Sequence, residues 1–219
     1  MLSVLSLLES RVLGVLLEKE RTVPDTYPLT LNTLIAGCNQ KTSRDPIIAA
    51  SETEVQAAID SLKRMNLVIE SSGGRVPRYT HNFERVIQVP RQSSAILAVL
   101  MLRGPQTAGE LRINCERLHS FADISSVEGF LNELAARPAG ALVVELPRQA
   151  GSRENRWAHL LSGPPPALTE GPRSAPAPDS AGLAVSELAA LKANVARLEA
   201  EVAELKALVG RMAAELGIR

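Results

Sequence analysis

The sequence predicts an α+β, mainly α fold: two tandem winged-helix domains, then a disordered linker and a C-terminal coiled coil. Three observations carry this. Four blocks of the first half return in the same order in the second, a proline-rich stretch follows, and an apolar heptad occupies the end. The boundaries fall at 1–90 and 91–162 for the two domains, 163–182 for the linker and 183–219 for the coiled coil.

The duplication is clearest between Pro28–Cys38 and Pro105–Cys115, where Pro28/Pro105, Thr30/Thr107, Leu34/Leu111 and Cys38/Cys115 match at an offset of 77. Upstream, Val12–Leu17 aligns with Ile96–Met101. Downstream, Val55, Ile59 and Leu62 align with Val127, Leu131 and Leu134, and Arg78–His81 answers Arg156–His159. Each copy reads as helix, helix, helix, β-hairpin. The first helices cover about 5–19 and about 93–103. The second start after Pro28 and Pro105, with a capping box at Thr107 and Glu110. The third carry apolar residues at i, i+4, i+7, with Ser51 and Glu54 as a capping box in the first copy. The hairpins follow: Leu67–Ile69, a turn at Ser72–Gly74 and Arg75–Phe83 in copy one; Leu142–Leu146, a turn through Gly151 and Arg156–Leu161 in copy two. Three helices and a hairpin in this order are those of a winged helix.

From Gly163 to Gly182 six prolines sit among Ala, Ser and Gly with no apolar period, the composition of a semi-extended linker. Beyond it, Leu188, Val195, Val202, Val209 and Leu216 take heptad position a, and Leu191, Leu198, Leu205 and Met212 take d. β-branched a with Leu at d favours a parallel pair, and Glu187 with Lys192 and Glu201 with Lys206 suit it across the seam. The expectation is a homodimer; a single helix folding back on the domains is the alternative.

Composition bounds the function. Lys plus Arg and Asp plus Glu number 24 each, so no basic tail advertises nucleic acid. The apolar N-terminus is interrupted by Glu9 and Arg11 and is too short for a membrane span. With no export signal, a reducing cytoplasm and free thiols at Cys38 and Cys115 are expected.

No Cys or His spacing suits a metal, and no phosphate loop, nucleophile elbow or dinucleotide fingerprint occurs. A non-enzyme without cofactor or metal is expected. Cys38 and Cys115 recur at equivalent helical positions as packing groups, and His81 and His159 recur near hairpin ends beside Tyr79 and Trp157.

A winged helix commonly docks its third helix in the major groove of double-stranded DNA. The candidate phosphate contacts are Lys41, Arg44, Lys63, Arg64, Arg75 and Arg78. Against them stand Glu52, Glu54 and Asp60 on the third helix, and Asp123, Glu128 and Glu133 in copy two. The commonest use of the fold puts a DNA-associated regulator first; a scaffold that binds a partner protein is the alternative.

Glu18–Asn32, Cys38–Pro46, Leu102–Thr107, Gly109–Arg112, Glu116–His119, Leu146–Arg148 and Arg153-Glu154 resemble the YceH-like family of uncharacterised bacterial proteins. The resemblance covers residues 5–161. It implies a tandem winged-helix fold and no known activity, catalytic residue or cofactor.

Overall fold

Helix α1 (Leu7–Thr22) begins where the Ser6 hydroxyl accepts from the Glu9 amide while the Glu9 carboxylate accepts from the Ser6 amide. This reciprocal cap satisfies two amides that have no helical partner. The device recurs at α3 (Glu52–Arg64), capped by Ser51 and Glu54, and at α6 (Ala108–Cys115), capped by Thr107 and Glu110. Thr30 caps α2 (Leu31–Cys38) and Asp123 caps α7 (Ile124–Ala135) through the side chain alone.

The computed structural model describes residues 4–71, 76–148 and 154–165, all within one unit, Met1–Thr169. Arg75, the turn at Ser72–Gly74, the turn through Gly151, the linker after 165 and every heptad position from Leu188 to Leu216 lie outside the described residues.

The chain is α+β, about half helical over the described residues, with two small antiparallel sheets. In the first copy α1 leads through a single 3-10 turn to β1 (Leu29–Thr30), then α2, α3 and a hairpin of β2 (Val68–Ser71) and β3 (Arg78–His81), with sheet order β1-β3-β2. The second copy runs α5 (Arg91–Arg103), α6, α7 and a hairpin of β4 (Val143–Glu145) and β5 (Trp157–His159). An isolated bridge joins Gln106 to Trp157 where copy one pairs Leu29 with Tyr79. The duplication thus extends to backbone pairing.

The second strand of copy one ends before the expected Phe83. Phe83 instead opens a short helix, α4 (Phe83–Ile87), and buries its ring with Ile87. Five residues are too few for a helical period to show in sequence.

One core runs through both copies. Ser10–Leu17 of α1 and Ser93–Leu102 of α5 are buried without a break, so both helices are enclosed on all sides. They pack on each other. Gly14 permits this, since a Cβ there would lie 2.9 Å from Leu102 Cγ. The two first helices therefore form the seam, and the third helices and hairpins lie outward from it.

Candidate functional site

Of the candidate phosphate contacts that fall among the described residues, Arg44, Lys63 and Arg78 are each engaged by other groups of the protein. Arg44 is a correction to the sequence expectation: its side chain is fully buried. Its Nη2 donates to Glu18 Oε2 at 2.6 Å and its Nη1 to Glu18 Oε1 at 3.1 Å, a two-pronged ion pair with α1. Its Nε donates to the Gly37 carbonyl at 3.1 Å, closing the C-terminus of α2. Such a guanidinium has no donor left to turn outward to a phosphate.

Lys63 pairs with Glu70 on β2 and lies 4.0 Å from Asp60, so two carboxylates already answer its charge. The contact to Glu70 raises the Lys63 pKa. Arg78 is exposed, but its Nη1 donates to the Pro28 carbonyl at 2.8 Å. Lys41 and Arg64 remain exposed. The stretch from Asn39 to Arg44, basic in sequence, belongs to a strap between α2 and α3. Asn39 bonds Ala50 in both directions, Asp45 N donates to Leu102 O at 2.8 Å, and Arg103 Nη2 donates to Ser43 Oγ at 2.7 Å. The strap thereby ties copy one to α5.

Before Lys63 the charged residues of α3 are all acidic, as are all those of α7. On α3, Glu52 and Glu54 are exposed, and the Ser51 side chain holds the Glu54 carboxyl below its ordinary pKa. Asp60 accepts from Gln56 Nε2 at 3.0 Å. Helix α7 contains no lysine or arginine, and Glu128 and Glu133 are exposed along it. Asp123 is committed to the Ser126 amide at 2.7 Å.

Burial pushes the Cys38 and Cys115 thiols up to about 12, so neither is a thiolate at neutral pH. His81 Nε2 lies 3.0 Å from Glu20 Oε2, and its backbone N–H donates to the Tyr27 hydroxyl. His159 is driven down to about 4 by burial, and its Nδ1 finds no partner among the described residues. No three metal-ligating side chains converge among the described residues, and no described helix is long and apolar enough to cross a membrane.

Sequence reasoning missed the buried charges of the seam. Arg11, which in sequence merely interrupts an apolar run, is fully buried and donates to the carbonyls of Cys38 at 3.2 Å and Pro46 at 2.7 Å. Arg21 pairs with Glu84 at 2.9 Å, and Ser94 Oγ donates to the same carboxylate at 2.7 Å. A charged residue within an otherwise unbroken apolar run was the available signal. A groove of about 360 Å³ lies between α4 and the residues leading into β4, lined mainly by apolar side chains with Arg137 at its edge. Arg137 Nη2 is bonded to the Ile87 carbonyl there, at 2.7 Å.

The model of a bacterial protein family described as "Protein of unknown function, DUF480" matches residues 5–152. A UPF0502 protein of Dechloromonas aromatica is 63% identical over 200 residues, covering 90% of this chain and 93% of that one. UPF0502 proteins of Methylibium petroleiphilum and Burkholderia ambifaria are 61% and 59% identical, over 99% and 96% of this chain and 92% and 89% of theirs. The chain belongs to this DUF480/UPF0502 family, with which the YceH-like resemblance agrees.

Proposed function

We propose that the chain is a non-enzymatic scaffold: two winged helices that bind a partner protein, joined by a linker to a coiled coil that pairs two copies through Leu188, Leu191, Val195, Leu198, Val202, Leu205, Val209 and Met212. The order helix, short strand, helix, helix, hairpin, with a third-strand pairing at Leu29–Tyr79 and Gln106–Trp157, supports the winged-helix reading. One observation carries the choice of protein over DNA. Helix α7, the groove reader of a DNA-binding winged helix, has no cation and turns Glu128 and Glu133 outward. Duplex DNA presents about one negative charge per 1.7 Å of axis, so such a helix is repelled from it. In copy one, Arg44, Lys63 and Arg78 are engaged within the protein.

Titration of fluorescent duplex DNA with the full chain, followed by anisotropy from low to physiological salt, tests the reading. No binding at low salt is expected. Steeply salt-dependent binding, strengthened by Glu52→Gln with Asp60→Gln, would return the assignment to DNA and to Lys41 and Arg64 as its contacts.

A further inference from the structure

We infer that Ile113 and Ile124 anchor a docking surface for a protein segment that is apolar at its centre and carries lysine or arginine; this rests on the protein-binding reading above. Ile113, on α6, is 72% exposed and Ile124, the first residue of α7, is 45% exposed. They share one side of the molecule. Gly109 lies one turn before Ile113 on α6, and a Cβ on it would stand 3.9 Å from Ile124 Cδ1. The same Cβ position lies 3.9 Å from Glu154 Oε2, so a carboxylate borders the isoleucines on this side.

The duplication supplies an internal control. At the matching positions of copy one stand Ala36 and Glu52, both exposed. The same three-helix packing therefore closes without an apolar pair there, so the isoleucines are not required by the fold. Two exposed isoleucines at neighbouring positions of α6 and α7 offer a partner apolar area that the fold itself does not use.

Charge decides what covers them. Glu128 follows Ile124 by one turn and is exposed, the exposed Asp123 directly precedes Ile124, and Glu116 and Arg117, one turn after Ile113, offset each other. Arg112 turns its Nη2 back to the Ala122 carbonyl at 3.3 Å. A second copy docked by a two-fold axis would set Glu128 near its own equivalent. A segment with cations beside its apolar residues satisfies both features.

The test selects a displayed library of short random peptides on the full chain, then measures individual enriched peptides by anisotropy. Enriched sequences should combine apolar residues with Lys or Arg. Their affinity should fall roughly tenfold with Ile113→Ser/Ile124→Ser, and a few-fold with Glu128→Gln. Both isoleucines being exposed, the serine variant should keep the wild-type urea midpoint. No enrichment, acidic or uncharged winners, or equal binding to the serine variant would overturn this surface. In the last case protein binding would stand and move elsewhere, whereas DNA binding in the titration above would remove the underlying reading itself.

Discussion

Arg78 donates from Nη1 to the Pro28 carbonyl at 2.8 Å, and Arg156 makes the same bond to Pro105 at 2.7 Å in the second copy. Each arginine pins the hairpin to the segment that begins the second helix. The expected consequence is structural. Arg78→Ala should lower stability by about 1 kcal/mol, the typical worth of one such bond. Urea unfolding checks it, and an unchanged midpoint would mean that the contact contributes nothing in solution.

Arg44 should behave differently because it is buried. Removing it leaves the Glu18 carboxylate with Lys19 alone and strands the Gly37 carbonyl, and the loss of one partner of a buried pair typically costs about 3–5 kcal/mol. Arg44→Ala should therefore lower the urea midpoint far more than Arg78→Ala. Burial is the largest single influence and raises the Glu18 pKa, but the hydrogen bonds and charges of Arg44 and Lys19 together outweigh it and the net shift is downward. The pair's contribution is thus present above the unfolded carboxyl pKa and lost as pH falls through the folded one. A shift as small as that of Arg78→Ala would show that water reaches the pair.

His159 gives a pH dependence of known sign. Its folded pKa is about 4 against an ordinary 6.5, so between these values the unfolded chain takes up a proton that the folded chain refuses. Stability should fall as pH drops through that window, by about 3 kcal/mol at most. Thermal melts of wild type and His159→Leu across this range check it. The variant should flatten this part of the profile, and parallel profiles would mean that His159 is protonated in the folded state.

The shared core has its own test. A fragment of residues 1–90 would expose the face of α1 that packs on α5, where Gly14 meets Leu102. It should lack a cooperative unfolding transition, as judged by circular dichroism during urea titration. A two-state melt would show that copy one needs no partner.

What could be read from sequence followed local rules. The capping boxes at Ser51 and Thr107 and the apolar spacing of α3 and α7 depend on residues within two turns of each other, and all are present. The buried stretches of α1 and α5 gave no amphipathic period, because a helix enclosed on all sides has none. The candidate cations misled for another reason. Their partners are remote in sequence, Glu18 for Arg44 and Pro28 for Arg78, and nothing local distinguishes an engaged arginine from a solvated one. The acidity of α7 was legible, since no fold can supply that helix with a cation it lacks.

That acidity yields the most direct measurement of the central claim. Glu128→Lys with Glu133→Lys should convert a face that repels DNA into one that attracts it, at exposed positions where the fold is indifferent to the change. Duplex DNA anisotropy at low salt should show no binding by the wild-type chain and clear, salt-sensitive binding by the variant. Wild-type binding at low salt that the two lysines leave unchanged would contradict the account.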